Sequence, residues 1–366
     1  MDNIRVLVVP RDDQNSVHGG DALVMSKTRE HLLRHGIELN ITFSHSLPKS
    51  YSADIVYLTF LHQVASVKKS LDWARQKQVP VMISPLFEDQ LHLWFQWAMR
   101  KPTIWLRLSR IIGSIITRNI YLAWHKRRIR NSEVWKIQRE LLMQMFLVPN
   151  SYFELNHLKY WFDLPSPRYS IVPLGIDPSV FMKRKITTSL PELDGLTGYV
   201  LEVGRLEERK NQLGLIHALN NIDIPILLLG KVVPTEKYYF ELCKQAATKR
   251  GNVHFVDFIP EDMLPEVYSQ AAVHVLPSWS ERPGLVTLEA AACGCKVVST
   301  CYSPIPEYLG DDAWYCRPEY SHTIRNAVSL AISSAHPTNL DNRVRKTFTW
   351  ENTAFGLRKV ILELVP

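Results

Sequence analysis

Apolar and polar positions alternate along this chain in two registers. Largely apolar runs, 4–9, 55–60 and 79–84, read as buried strands, and 37–43, where Glu38, Asn40 and Thr42 alternate with apolar residues, reads as a further strand. Between them apolar residues recur at helical spacing, as at Leu23, Val24, Leu32 and Leu33 ahead of a C-capping Gly36, and across 64–76. After 145 the pattern resumes, with 145–148 as strand and 152–162 as helix; from 199 onward 199–203, 226–230, 253–260, 272–276 and 296–300 read as further strands. Strands alternating with helices predict an α/β chain on parallel, doubly wound sheets, whose ligands bind beyond the strand carboxyl ends. A chain of 366 residues exceeds one ordinary core. The stretch 182–196, rich in Lys, Thr, Ser and Pro, is the expected linker. This places a first domain at 1–180 and a second from 196.

One segment breaks the alternation. Residues 90–132 carry nine Lys and Arg, four tryptophans and no Asp or Glu. The whole chain is +7; outside this segment 34 basic and 36 acidic residues leave −2, so the basicity is local. Ile104, Trp105, Leu108, Ile111, Ile112, Ile115 and Ile116 are predicted to share one helical face, with Arg107, Arg110 and Arg118 largely opposite. A spanning helix would place three arginines near its centre at about +2.5 to +3.5 kcal/mol each, which excludes transmembrane insertion. A basic amphipathic insertion at about 90–140 suits an anionic headgroup layer, where each Lys or Arg contributes about 1 kcal/mol. Lys126, Arg127, Arg128 and Arg130 extend that basic surface. Two other readings stay open: the apolar face as the core side of an ordinary helical insertion, and the basic face as a nucleic-acid surface. No recognition module for nucleic acid is legible elsewhere, so nucleic acid is not an expected partner.

Composition adds bounds. Hydrophobic residues at 46% and charged ones at 22% describe a globular protein. Five cysteines at 243, 293, 295, 301 and 316 have neither metal-like nor disulfide-like spacing, which suits a reducing compartment. Met1 runs almost directly into a strand without a basic and apolar leader, so a cytoplasmic protein is expected.

The candidate chemistry lies beyond the strand 272–276. Pro277 and Ser278 end that strand; Pro283, with its ring-fixed φ, is expected in the first turn of a helix carrying Leu285, Leu288, Ala291 and Ala292 as far as Gly294. Glu281 then lies in the loop and Glu289 on the helix. Free backbone N–H groups of Gly284, Leu285 and Val286 can meet an anion, and the two carboxylates can accept hydrogen bonds from sugar hydroxyls on either side of it. A sugar joined through a diphosphate to a nucleoside fits this geometry. Two glutamates eight apart also arise by chance among 36 acidic residues, so spacing alone leaves both readings open. Upstream, the strand 199–203 delivers Gly204 and Arg205, with Lys210 at the next helix start. Cations there oppose the helix dipole and point to an anion nearby, although ordinary surface charge remains the alternative. A departing diphosphate gains negative charge, which Arg205 can grip with its planar fork and Lys210 can meet as a point charge. Gly19 and Gly20 form a second anion-accessible helix start or a plain turn. His62 and Glu88 follow two first-domain strands and are acceptor-side candidates, a lone His in such a place being more often structural. Neither Asp-x-Asp nor a His/Cys ligand cluster is present, so no metal or other cofactor is expected.

Ser278-x-x-Glu281-x-x-Gly284-x-x-x-x-Glu289 resembles the Glu-x7-Glu signature of the retaining glycosyltransferases of family 4, and Val203-Gly-Arg-Leu-Glu-Glu-Arg-Lys210 resembles that family's Gly-Arg-Leu-x-x-x-Lys segment. Residues 169–177 and the end of the chain from Thr349 are similar to further family segments. The resemblance is strong over 199–300, moderate at 4–36 and 169–177, and absent from 90–140. It implies a GT-B architecture: two doubly wound Rossmann-like domains facing a cleft, acceptor on 1–180, donor on 196–348, and a terminal helix at 349–366 crossing back to the first. It implies hexosyl transfer with retention from a UDP- or GDP-sugar. In that reading Glu281 holds donor sugar hydroxyls, Glu289 the ribose, Gly284 and Leu285 the diphosphate, and Phe258 and Ile259 lie against the base, read through backbone groups. Gly20 falls in a loop that the family places near the donor phosphates or the acceptor. Where many members carry an acceptor-side histidine this chain has Ser84 and Pro85. The expected setting is the cytoplasmic face of a membrane, with a glycan or lipid-linked acceptor and an anionic surface as partners. A sugar-nucleotide epimerase or phosphorylase of the same fold, or a non-catalytic membrane scaffold, is the alternative.

Overall fold

The computed structural model describes residues 4–12, 20–48, 50, 52–100, 102–184, 193 and 195–365. The loop at 13–19, with Gly19, and most of the expected linker, 185–192 and 194, lie outside the described residues.

The chain forms two compact units, Met1–Gly175 with Trp350–Pro366, and Ile176–Thr349. The first contains β1 (Ile4–Val9), α1 (Gly20–Arg34), β2 (Ile37–Ile41), β3 (Ile55–Leu58), α2 (Val64–Lys77), β4 (Val81–Ile83), α3 (Leu91–Arg100), α4 (Ile104–Ile112), α5 (Ser114–Arg130), α6 (Glu133–Leu142), β5 (Phe146–Leu147) and α7 (Tyr152–Phe162). The second contains β6 (Val200–Val203), α8 (Gln212–Ala218), β7 (Ile226–Leu229), α9 (Lys237–Arg250), β8 (Val253–Val256), α10 (Leu264–Gln270), β9 (Val273–Leu276), α11 (Leu285–Ala292), β10 (Val297–Thr300), α12 (Ile305–Leu309), β11 (Trp314–Cys316), α13 (Ser321–Ser333) and α14 (Leu340–Thr347). The last helix, α15 (Trp350–Leu364), groups with the first unit.

The first sheet runs β2-β1-β3-β4-β5, with every pair parallel. Its strands are shorter than the apolar runs that announce them. Phe60 and Leu61, for example, leave the ladder after Leu58 but stay buried in the core that holds Leu58, Val67 and Leu71. Apolar pattern reports burial, and burial continues into a loop that folds back on the core. Ala354, Leu357, Val360 and Ile361 of α15 fill the opposite face beside Val6, Val8 and Val172. Glu351 of α15 meets Nδ1 of His31, on α1, at 2.9 Å and Nε2 of His35, just past the end of α1, at 2.8 Å.

The helical insertion departs from expectation. A single apolar face across residues 104–116 requires one continuous helix, yet Gly113 at φ +83° ends α4, and α5 starts anew and packs back on it. Positions before and after that turn share no helical wheel.

The second sheet runs β11-β10-β9-β6-β7-β8, again all parallel. Alternate residues feed two cores: Leu201, Leu227, Leu229 and Val297 on one face, Val200, Ile226, Leu228, Val275 and Val298 on the other. The chain leaves β6 for β7 and β8, then returns to lay β9 on the other side of β6. Strand order therefore reverses between β6 and β9, where an open α/β sheet parts its loops and admits a ligand. Residues 176–180, expected with the first domain, belong to this unit, where Ile176 donates from its amide to the Phe348 carbonyl at 2.9 Å.

Candidate functional site

The loops after β6 and β9, 204–211 and 277–284, meet at that reversal. Their backbones are tied directly: the Trp279 amide donates to the Arg209 carbonyl at 2.8 Å, and Asn211 Nδ2 to the Pro277 carbonyl at 3.1 Å. On the far side the Glu281 amide donates to the Tyr302 carbonyl at 3.2 Å. The loop carrying Glu281 is thus held from both flanks.

Lys210 and Glu281, expected to serve different parts of a ligand, bind each other. Nζ of Lys210 lies 2.7 Å from Oε1 of Glu281, with 8% and 7% of the two residues exposed. Arg209 supports the pair: its Nη1 is 3.5 Å from the same oxygen and donates to the Ser280 carbonyl at 2.9 Å, while its Nη2 donates to Glu207 at 2.7 Å. Burial alone would push the Glu281 carboxyl up; Lys210 and then Arg209 overcome that and hold it at about 2. At neutral pH Glu281 is therefore ionised in a nearly dry setting, where its charge depends on the partner it binds. Arg205 differs, being half-exposed and 3.3 Å from Glu207.

Two buried groups lie near this pair. Glu202, on the one strand position of β6 that is charged, is 1% exposed with neither carboxyl oxygen hydrogen-bonded. Burial raises its carboxyl well above the ordinary value, Lys210 working against this and Glu281 adding to it, so the site favours the protonated form. His274 on β9 is fully buried and pressed down to about 3 by burial and by the charge of Lys210, hence neutral. Arg209, Glu202 and His274 were missed as site residues. Glu202 and His274, polar side chains inside otherwise apolar strand runs, were the available signal.

The helix after the loop begins later than expected. Pro283 follows a cis peptide bond from Arg282 and lies outside α11; Gly284, at φ +88°, is the N-cap, and helical turns start at Leu285. The Thr287 amide donates to the Gly284 carbonyl at 2.9 Å, and Leu285 and Val286, two of the residues expected to seat an anion, stand at the first two positions of α11, where amides have no partner within the helix. Glu289 is 8% exposed and accepts a hydrogen bond from the Tyr268 hydroxyl at 3.0 Å. Burial raises its carboxyl to about 7, the Tyr268 bond opposing and Glu261 assisting.

Among the remaining expected residues, Phe258 is exposed, with Lys231 Nζ 5.4 Å from its ring centroid, whereas the Ile259 side chain turns into the core and offers a ligand only its backbone. Gly204 ends β6, and a Cβ there would come within 3.3 Å of Lys210 Cε. Gly20 opens α1. In the first unit His62 is exposed with its ring edge-on to Phe60, and Glu88 accepts from Gln90 at 3.3 Å; they follow different strands, β3 and β4. Ser84, in the place of the absent histidine, shares a 2.8 Å hydrogen bond with the Tyr57 hydroxyl. Of the basic cluster, Arg107, Arg110, Arg127 and Arg128 are exposed and Arg118 is half-buried. Arg130 instead pairs with Asp163 at 2.5 Å and donates to the Tyr160 carbonyl at 2.6 Å, and Lys126 lies over the Tyr160 ring. Those two pin α5 to the α7 region and are not a free basic face. Among the described residues no group of three or more His, Cys, Asp and Glu could hold a metal ion, and no helix is long and apolar enough to cross a membrane.

Residues 192–347, which include this whole site, match the family profile of glycosyl transferases group 1. Sucrose-phosphate synthase from Thermosynechococcus elongatus has the same fold over 99% of both chains, with TM-score 0.76 and 17% identity. The chain is a glycosyltransferase of GT-B fold. HepE of Anabaena, solved in complex with UDP, is a further structural neighbour at TM-score 0.67 and 15% identity over 99% of this chain and 100% of that one. In sequence the enzyme is 26% identical over 283 residues to O-antigen chain mannosyltransferase B of Escherichia coli, covering 70% of this chain and 74% of that protein. D-inositol 3-phosphate glycosyltransferase of Segniliparus rotundus and mannosyltransferase WbdA of Escherichia coli are spanned over half or less of their length.

Proposed function

We propose that this enzyme moves a hexosyl group, with retention at the anomeric carbon, from a UDP- or GDP-sugar to a glycan or lipid-linked acceptor met at the cytoplasmic face of a membrane, as cell-surface polysaccharide or glycolipid synthesis requires. The observation that carries the reading is the buried Lys210–Glu281 pair at the strand-order reversal, next to the open first turn of α11. The donor diphosphate takes the amides of Gly284, Leu285 and Val286, with Lys210 and Arg205 as its cations. Glu281, kept ionised by Lys210, accepts from sugar hydroxyls through its remaining lone pairs, and Glu289 accepts from the ribose. As the bond from C1 to the diphosphate oxygen breaks, the acceptor oxygen bonds C1 on the same face, and its proton passes to the departing diphosphate. Fixed cations stabilise the charge that develops on that leaving group. The relative named a mannosyltransferase and the neighbour solved with UDP support this donor class.

Thermal-shift screening against UDP-, GDP- and ADP-sugars tests the reading. One base should raise the melting temperature in the wild type and not in Arg205→Ala; no shift with any of the three would remove it.

The raised Glu289 carboxyl adds a pH signature. Because the folded protein holds this proton above the ordinary value of 4.5, the associated stabilisation is complete below that value and is lost as pH rises to about 7. Ribose hydroxyls favour the ionised acceptor, so donor binding is expected to tighten as pH passes about 7. Glu289→Gln should flatten that rise in calorimetric titrations at several pH values; an identical profile in the variant would exclude Glu289 from the site.

A further inference from the structure

The α4–α5 hairpin ends in an apolar surface that its own packing does not use. No residue of α4 is buried. The hairpin coheres instead through rings: Trp105 meets Tyr121 at 5.0 Å and Trp124 at 5.4 Å, while Phe95 of α3 meets Tyr121 at 5.3 Å. Outward, Ile111 is 79% exposed, Ile115 59% and Ile116 55%, clustered about the Gly113 turn. Ile104, one heptad before Ile111, and Ile120, one turn after Ile116, continue the apolar strip along both helices. Arg107 and Arg110 are exposed beside it, and residues 90–132 contain no acidic side chain. At the opposite end of α5, Arg130 and Lys126 fasten the hairpin to α7 and its C-terminus. The result is a prong with a fixed base, a cationic collar and an isoleucine tip.

We propose that this prong inserts its tip into an anionic bilayer, the isoleucines around Gly113 entering the boundary between headgroups and acyl chains while Arg107 and Arg110 stay at the phosphates. The proposal rests on the membrane-face reading above and deepens it by naming which residues enter the lipid. Charge selects the occupant. Two copies of a patch with no carboxylate would oppose each other, whereas a phosphate surface neutralises the collar and the acyl layer takes the side chains. Insertion at a hairpin tip also differs from the in-plane helix that the sequence suggests, since Gly113 prevents the isoleucines of α4 and α5 from lining one straight face.

The test uses the full chain and vesicles of phosphatidylcholine alone or with three-tenths phosphatidylglycerol, read by co-sedimentation at 0.1 and 0.5 M salt. The wild type should bind the anionic vesicles and retain part of that binding at high salt. Ile111→Ser/Ile115→Ser/Ile116→Ser, all at exposed positions, should bind about 100-fold more weakly and keep its melting temperature and its turnover of a water-soluble acceptor. Arg107→Gln/Arg110→Gln should lose binding mainly at low salt. If the serine variant binds like the wild type while the arginine variant is released, the surface docks by charge alone and the prong is overturned, the membrane reading surviving. Wild-type protein that ignores anionic vesicles overturns both. A dimer in light scattering that the serine variant converts to monomer would assign the isoleucines to a copy interface and also overturn the insertion.

Discussion

Lys210→Ala is expected to lower kcat/KM for transfer about 10²- to 10³-fold, as removal of one preorganised partner of a developing anion does elsewhere. It should also reduce stability by about 3–5 kcal/mol, because it strands Glu281 as a buried charge. The two losses have different causes and can be separated. In Lys210→Met/Glu281→Leu neither charge remains, so denaturant unfolding should return most of the stability while transfer stays lost. Transfer recovering together with stability would show that the pair is only structural. The acid side carries a second signature. Glu281 is depressed to about 2, so its stabilisation is full above the ordinary value of 4.5 and fades as pH falls toward 2. With Lys210 removed, burial is left less opposed and that acid-linked loss should move to higher pH.

Gly230→Ala should be the most damaging single change that touches no polar side chain. Gly230 ends β7 at φ +150°, and a Cβ there would fall 2.1 Å from the Gly204 carbonyl oxygen and 2.7 Å from its carbon. The obstacle is backbone and cannot rotate away. It is also the backbone that delivers Arg205, since the Gly204 amide is held by the Leu229 carbonyl at 2.9 Å. A loss on the order of 3 kcal/mol is expected, together with weakened nucleotide binding, because the loop 204–210 must shift. Gly251→Ala is the control: φ is +75° with nothing within 4 Å of the added carbon, so it should cost about 1 kcal/mol of strain and leave nucleotide binding unchanged. Equal effects of the two variants on binding would refute the account of Gly230.

Parallel α/β layering was legible because strands covered on both faces, such as Ile226–Leu229, leave no polar alternation in the sequence. Loop and helix assignments around Glu281 and Glu289 followed from Pro277, Ser278 and the apolar spacing of Leu285, Leu288, Ala291 and Ala292, whereas Pro283, expected in the first turn, lies outside α11. Boundaries were less legible, since Phe60 and Leu61 remain buried after the ladder ends. The insertion was misread at Gly113 because a wheel drawn through a glycine assumes the right-handed conformation that glycine is free to leave. Arg130 read as part of a basic surface because its partner, Asp163, lies 33 residues away.

By itself the sequence determined the alternation of elements, the local basicity of 90–132 and the residue types available at each strand end. All of these depend on neighbours within a few turns of chain, or on composition alone. Only the tertiary structure decided that Lys210 meets Glu281, 71 residues apart, near a buried Glu202, and that the isoleucines flanking Gly113 gather at a hairpin tip. Such pairings follow from which strands become neighbours and where a helix breaks. A charge or an apolar side chain carries no local mark of the partner that a return of the chain will bring to it.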